Sequence, residues 1–120
     1  IKSKINFEDD RGFILDLINY ENINSVTRIS FKKNKVRGNH YHKKTFQWNY
    51  VLFGEIKLVY INKNKITQKI FKQNELFLLE PNEHHALQAI KKTEILVFTK
   101  GPRGGKEYEK DTFRLKDKLI

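Results

Sequence analysis

Arg37-Gly38-Asn39-His40-Tyr41-His42 is the stretch that decides the fold of this chain, and Gln47 and Gly54 follow it at short intervals. His40 and His42 are two residues apart, so on an extended strand their side chains face the same side of the sheet. A second histidine cluster, Pro81-Asn82-Glu83-His84-His85, comes later in the chain. Together the two clusters predict a small β-barrel with several imidazoles converging in its interior.

The rest of the chain consists of short β-branched or aromatic runs separated by polar turns, a pattern typical of a sandwich or barrel. No amphipathic helix of useful length is evident, and the Gly-rich stretch Lys100–Lys106 is predicted to be a basic loop. The sequence therefore predicts an all-β fold with one domain over residues 1–120. The predicted strands are 13–18, 26–33, 36–42, 46–53, 55–61, 66–71, 76–79, 84–90 and 95–99.

Composition narrows the classes of protein and partner. The 120 residues are enough for one hydrophobic core but not for two, and the absence of cysteine excludes disulfides and thiolate ligands. No apolar run approaches the roughly 20 residues of a membrane helix, so we expect a cytoplasmic protein without a membrane partner. The net charge of +10 attracts anions, but the lysines fall mostly in predicted turns. That spread is typical of a solvated surface, and nucleic acid is not expected as a partner.

Four side chains are candidates for one interior site: His40, His42, Gln47 and His85. Adjacent His84 and His85 must point to opposite sides of a strand, and we favour His85 as the inward one. The set suits a metal site for Fe, Ni, Zn or Mn, or metal-free acid–base catalysis by histidine. A carboxylate normally accompanies such ligands, and the neutral amide of Gln47 in its place mildly favours the metal-free chemistry. A purely structural role is the plainer alternative.

The phase of the strand after the first cluster predicts which residues line the site. If Gln47 faces inward, so does Asn49, whereas Trp48, Tyr50 and Leu52 face outward. Such an apolar outer face predicts contact with another element or with a second copy in a homodimer.

Candidate substrate-binding residues surround this predicted site. Arg37 precedes the Gly38 turn and Arg28 lies on the neighbouring strand, where guanidinium groups can grip a diphosphate or serve as ordinary surface charge. Asn49 and Lys44 complete the candidate set.

The motifs resemble those of a known family. His-x-His, four residues, Gln, six residues and Gly, from His40 to Gly54, resemble the first cupin motif, and 81–85 resemble a shortened second motif. Within the cupins, Arg37 to Gln47 is similar to the dTDP-sugar 3,4-ketoisomerases. The opening Phe7 to Gly12 is similar to those enzymes and to the dTDP-4-dehydrorhamnose 3,5-epimerases.

This resemblance implies a jelly-roll β-barrel that often dimerises and acts on a nucleoside-diphosphate 4-keto-6-deoxy sugar, most often dTDP-linked, without a cofactor. His40 would match the base and His42 its partner, with Arg28 and Arg37 near the phosphates. The ketoisomerases carry tyrosines on the strand that follows the arginine matching Arg28, where this chain has Ser30 and Phe31.

An active-site phenol is therefore expected to be missing from that strand, and Tyr41 and Tyr50 are candidate substitutes. Two other functions stay open. One is a metal-dependent cupin, an oxygenase or small-molecule isomerase, with His40, His42, Gln47 and His85 as ligands. The other is a non-catalytic sugar-binding module.

Overall fold

The computed structural model describes residues 6–103 and 105–120. This part of the chain is almost entirely β-structure, with one short helix near its end. No helix in the described ranges is long and apolar enough to cross a membrane. The elements are β1 (Phe7–Asp9), β2 (Gly12–Ile14), β3 (Ser25–Phe31), β4 (Val36–His42), β5 (Phe46–Phe53), β6 (Glu55–Asn62), β7 (Lys65–Lys72), β8 (Leu76–Leu79), β9 (His85–Ala89), β10 (Thr93–Lys100), α1 (Gly105–Lys110) and β11 (Thr112–Arg114).

Two antiparallel sheets face each other and enclose the interior. One has four strands in the order β3-β10-β5-β8, and the other has five in the order β11-β4-β9-β6-β7. Strands that are distant in sequence lie side by side in both sheets, as a jelly roll requires. β1 and β2 form a separate hairpin. The predicted all-β jelly-roll barrel is confirmed.

A hydrophobic core lies between the two sheets. Phe71 on β7 and Phe77 on β8 stack with ring centroids 4.4 Å apart, which joins the two sheets. The inward positions of each strand alternate with outward ones, so the β-branched and aromatic runs deliver one side chain in two to the core. The cluster contains Phe31, Val51, Ile56, Leu58, Phe71, Phe77, Leu79, Leu87, Ala89, Ile95 and Val97.

Gly54 makes the tight connection between β5 and β6. Its φ is +98°, and a Cβ at this position would lie 2.3 Å from Oγ1 of Thr93. Only glycine combines that backbone conformation with such a close approach. The last residue of the first motif is therefore needed for chain reversal beside the core.

The predicted strands in the middle of the chain agree with the structure to within a few residues, and the ends differ. The predicted strand 13–18 stops at Ile14, because the following residues leave the hairpin. β1, α1 and β11 were not predicted, and a helix occupies part of the expected basic loop. Gly104 of that loop and residues 1–5 of the predicted domain lie outside the described residues.

The outward face of β5 is covered more fully than its sequence suggests. Trp48 is only 9% exposed, and it packs beside Phe46 on β5, with Phe98 opposite it on β10. Lys100 lies 5.7 Å above the Trp48 ring, a cation–π contact. Tyr50 and Leu52 on the same face are half-buried. The homodimer through Trp48, Tyr50 and Leu52 stays a prediction.

Candidate functional site

A β-bulge in β4 places the arginine of the first motif on the same face as its histidines. Gly38 and Asn39 both have positive φ, at +96° and +58°. The register with β9 shifts between Gly38 and His40, so that His40 faces His85 directly while Arg37 faces Leu87. Without the extra residue, strict alternation would turn Arg37 away from His40. The bulge therefore converts a sequence run into one convergent set of side chains.

Gly38 also permits the close approach of β4 and β9. A Cβ at this position would lie 3.1 Å from the carbonyl oxygen of His85 and 3.2 Å from Cα of Ala86. This contact holds the strand that carries His85 against the strand that carries His40 and His42.

The three inward histidines form one cluster. Their candidate ligand atoms all lie within 4.8 Å of one another. The ring centroids of His40 and His42 are 4.7 Å apart, and those of His40 and His85 are 4.8 Å apart. His42 and His85 are each 3% exposed, whereas His40 is half-buried. His40 and His85 line the cavity described below, and His42 stands behind them.

Backbone carbonyls fix the tautomers of two of these rings. Nδ1 of His42 lies 3.1 Å from the carbonyl oxygen of Asp111, and Nδ1 of His85 lies 3.0 Å from that of Glu83. A carbonyl oxygen only accepts, so Nδ1 is the protonated donor in both rings and Nε2 keeps its lone pair. Nε2 of His42 and Nδ1 of His40 are buried without a hydrogen-bond partner. Burying imidazole nitrogens without hydrogen-bond partners costs folding free energy, so these nitrogens indicate a functional role.

Burial keeps these imidazoles neutral at neutral pH. Desolvation, followed by the neighbouring His42 and Arg114, lowers the pKa of His40 to about 4. Desolvation and then His40 lower the pKa of His85 to about 3. The pKa of His42 is also lowered by burial, although its bond to Asp111 opposes that shift. A neutral imidazole is the form that accepts a proton or binds a metal.

A cavity of about 440 Å³ opens in front of His40 and His85. Gln47 and Asn49 project into it from β5, in the opposite sheet. Among the described residues that line it, none is acidic and three are arginines. The polar lining residues are Arg37, His40, Gln47, Asn49, His85, Arg103, Tyr108 and Arg114. The arrangement suits an anionic ligand whose uncharged part reaches the imidazoles.

The end of α1 closes the cavity on one side. The Tyr108 ring lies 5.2 Å from the His42 ring, and the Arg103 guanidinium carbon lies 4.3 Å above Tyr108. Arg114 on β11 is directly opposite His40 in register, and it pairs loosely with exposed Glu109 at 3.8 Å. These residues belong to the part of the chain whose structure the sequence did not predict.

Asp111 joins this end of the chain to the first motif. Its carboxylate accepts bonds from the amides of Lys43 and Lys44 and from the hydroxyl of Thr45, while its carbonyl accepts from His42. These bonds offset the desolvation of a carboxylate that is 5% exposed. The same hydrogen-bond network therefore holds both the His42 ring and the β4–β5 turn.

Of the predicted catalytic and metal-binding residues, the structure brings together His40, His42, Gln47 and His85 in and behind this cavity. Tyr41 lies on the opposite face of β4, stacked on His84 at 4.6 Å and on Phe113 at 5.3 Å. His85 thus points inward and His84 outward, as the sequence favoured.

Among the predicted substrate-binding residues, Arg37 and Asn49 line the cavity, but two others do not. Arg28 is 70% exposed on the outer face of β3, where it pairs with Glu94. The structure therefore does not bring Arg28 beside Arg37. The exposed Lys44 sits in the β4–β5 turn, and Tyr50 donates its hydroxyl proton to Asn74, away from the cavity.

Four residues of the site were missed because they lie within or after the Gly-rich segment: Arg103 within it, and Tyr108, Asp111 and Arg114 after it. The signals available were the helix-forming run around Tyr108 and the alternation of polar and apolar residues in 112–114. Both are too short to predict an element by periodicity alone. Among the described residues, the tyrosine that shares the cavity with the imidazoles is Tyr108, and Tyr41 and Tyr50 lie elsewhere.

The geometry can now be compared with known proteins. A family model described as Cupin matches residues 17–110. The chain belongs to the cupin family. No curated protein matches the sequence significantly.

Several solved structures share the fold of this cupin. QdtA, a sugar 3,4-ketoisomerase from Thermoanaerobacterium thermosaccharolyticum in complex with TDP, matches with a TM-score of 0.78 and 22% identity, over 98% of this chain and 87% of that one. A dTDP-4-dehydrorhamnose 3,5-epimerase from Sulfolobus tokodaii matches with a TM-score of 0.66 and 19% identity, over 82% and 68%. The capsular polysaccharide assembling protein CapF from Staphylococcus aureus matches with 0.65 and 18%, over 96% of this chain and 33% of that one.

Proposed function

We propose that this cupin is an isomerase or epimerase for a nucleoside-diphosphate 4-keto-6-deoxy sugar, dTDP-linked, in surface-polysaccharide biosynthesis. The observation that carries the proposal is a cavity where neutral imidazoles and three guanidinium groups meet, with no acidic side chain among the described residues of its lining. A keto sugar needs a base beside its carbonyl, and a diphosphate needs cations. The shared fold with QdtA, whose structure holds TDP, supports the same ligand class.

His40 is the proposed base, because it lines the cavity and is neutral at pH 7. Nε2 of His42, oriented by the bond from Nδ1 to the carbonyl of Asp111, is the proposed acceptor for a proton on Nδ1 of His40, and neither of these two nitrogens has another partner among the described residues. That pairing leaves Nε2 of His40 with its lone pair toward the substrate. We propose this tautomer because it satisfies both of the buried nitrogens that otherwise lack partners.

The reaction consists of proton transfers and needs no redox partner. His40 removes a proton from the carbon next to the ketone, and the electron pair of that C–H bond moves to the carbonyl oxygen to form an enediolate. In isomerisation, a hydroxyl proton moves between the two oxygens and His40 returns its proton to the former ketone carbon. In epimerisation, a water molecule protonates the original carbon from the opposite face, and His40 releases its proton to the hydroxide that this leaves. Gln47 and Asn49 lie across the cavity, where their amides can hydrogen-bond the sugar.

The diphosphate would also adjust the base. Arg114 contributes to the lowered pKa of His40. An anion bound to Arg114 offsets this positive charge, which raises the pKa of His40 toward the working pH and strengthens it as a base. Binding of the charged half of the substrate thereby favours proton transfer at the other half.

The first test measures the melting temperature of chelator-treated protein in the presence of dTDP, UDP, GDP or CDP. A ligand that binds only the folded state raises the melting temperature by mass action, and we expect the largest shift with dTDP. The protein should then exchange a substrate C–H proton for deuterium in D₂O, as observed by proton NMR. Binding without exchange would instead assign the chain as a sugar-binding module. The absence of any nucleotide shift would exclude the proposal.

A second candidate function is a metal-dependent cupin, an oxygenase or small-molecule isomerase. The observation that favours it is the spacing of the three imidazoles, whose ligand atoms lie within 4.8 Å of one another. The metal, Fe, Ni, Zn or Mn, would be held by His40, His42 and His85, with the Gln47 amide as a weak fourth ligand. It would act as a Lewis acid that polarises an oxygen of the substrate. Titration of apo-protein with each metal tests it, because stoichiometric binding should disappear in His85→Ala and persist in His84→Ala.

A further inference from the structure

A second cavity adjoins the site and shares its arginines. It has a volume of about 410 Å³ and lies outside β4, against the segment that follows β11. Arg37 and Arg114 line both cavities, together with Val36 and Gly38. The two spaces are therefore neighbours, with a pair of guanidinium groups at their boundary.

The walls of the second cavity are aliphatic, and its rim is cationic. Its apolar side chains are Val36, Leu115 and Ile120, and Lys118 adds a positive charge to those of the two arginines. Within the described part of the chain, no acidic side chain lines it. Apolar side chains beside cations suit an aromatic base that is joined to phosphate.

Asn39, the bulge residue of β4, holds the far wall in place. Its side-chain oxygen accepts bonds from the amides of Leu119 and Ile120, at 2.7 and 3.3 Å. Its amide nitrogen donates to the carbonyl of Ile120 at 3.3 Å, and its carbonyl accepts from the amide of Leu115 at 2.8 Å. The bulge that orients Arg37 toward the histidines thus also anchors the segment that builds the second cavity.

We propose that the second cavity is the nucleoside compartment of the ligand. The base and ribose lie between Val36 and Leu115, the diphosphate crosses the boundary at Arg37 and Arg114, and the sugar reaches His40. This inference rests on the proposed function. The first cavity, at about 440 Å³, is at the low end of the roughly 300–1,000 Å³ of small-molecule sites, so an adjoining compartment gives a nucleotide sugar additional room. A ligand of two halves joined by a diphosphate matches two compartments joined by two arginines.

The test separates the nucleoside from the phosphates by comparing dTDP with inorganic pyrophosphate in calorimetric titrations. Leu115→Trp fills the second cavity with a larger ring. It should weaken dTDP about tenfold or more, because the base loses its space, and should leave pyrophosphate within about twofold of wild type. Lys118→Glu should weaken dTDP several-fold more than Lys116→Glu, which makes the same charge change on an exposed residue outside the cavity lining. Circular dichroism checks that each variant is folded.

Each outcome decides the matter. Unchanged dTDP affinity in Leu115→Trp would overturn the nucleoside compartment and leave the proposed function standing. An equal loss of dTDP and pyrophosphate would overturn it as well, since the cavity would then hold no base. Equal effects of the two lysine variants would remove Lys118 from the site. A wild-type protein that binds neither dTDP nor pyrophosphate would overturn both the compartment and the proposed function.

Discussion

The two faces of the β4–β9 ladder carry similar aromatic and histidine side chains, but their rings differ in packing and in hydrogen bonding. The inner face presents His40 and His85 to a cavity, and the outer face presents Tyr41 and His84. On the outer face the rings stack on each other, with Phe113 alongside. On the inner face the rings meet edge-on or tilted, and two buried ring nitrogens lack any hydrogen-bond partner.

The difference shows that position, not residue type, separates a structural histidine from a candidate catalytic one. His84 and His85 are adjacent and chemically identical, yet only His85 is almost fully buried beside two more imidazoles. A sheet achieves this separation because successive side chains alternate between its faces. The predictions below use one face as the control for the other.

The largest expected effect is on catalysis. His40→Ala should lower the turnover of the keto-sugar nucleotide by about 10²–10⁴-fold, because general acid–base groups contribute on that scale. His84→Ala and Tyr41→Phe, on the outer face, should stay within about threefold of wild type. Deuterium exchange at the substrate carbon, followed by NMR, measures the effect before any product is formed. If Tyr41→Phe lost as much activity as His40→Ala, the separation of the two faces would be wrong.

The next effect concerns ligand binding and compares arginines on the two faces of the barrel. Arg114→Ala and Arg103→Ala should each weaken dTDP by roughly 10- to 150-fold, since a hydrogen bond to a charged group contributes about 1.5–3 kcal/mol. Arg28→Ala should have little effect, because Arg28 is on the outer face with Glu94. Titration calorimetry at fixed salt measures all three. Weakening by Arg28→Ala alone would move the phosphate site out of the cavity.

The fold and half of the site followed from the sequence, because local rules controlled them. The histidine spacing, the glycine turn at Gly54 and the alternation around Gln47 each depend on a few neighbouring residues. The bulge at Asn39 did not follow, since it adds a residue that a strict two-residue period does not contain. Arg37 was nevertheless predicted as a substrate-binding residue, and it lines the cavity.

The rest of the site depends on long-range contacts. Arg114 reaches His40 only because β11 pairs with β4, which is far away in sequence. Arg28 was expected beside Arg37 from its strand alone, but its alternation phase turns it to the outer face. Tyr108 and Asp111 lie at the end of a six-residue helix whose pattern is too short to detect. Such residues become visible only when the sheet order is known.

The smallest expected effect is on the pH dependence of stability. Histidines on the inner face should contribute to it, whereas His84 on the outer face should not. In the unfolded chain the histidines titrate near their ordinary pKa of 6.5, whereas in the folded protein burial lowers the pKa of His40 to about 4 and that of His85 to about 3. As the pH falls from 6.5 toward 4, the unfolded chain therefore binds protons that the folded protein does not, and stability decreases. The contribution of these buried neutral histidines to stability is fully present above pH 6.5.

Urea unfolding of chelator-treated protein between pH 4 and 7 measures this slope. Each such histidine contributes up to about 1.4 kcal/mol per pH unit. His85→Gln should lower the slope by roughly that amount, because it removes one buried titrating ring while keeping a polar side chain of similar length. His84→Gln leaves the inner cluster intact and should retain the wild-type slope. If His84→Gln flattened the slope and His85→Gln did not, the pH dependence of the free energy of unfolding would come from the outer face. The inner imidazoles would then not be the neutral bases on which the proposed reaction depends.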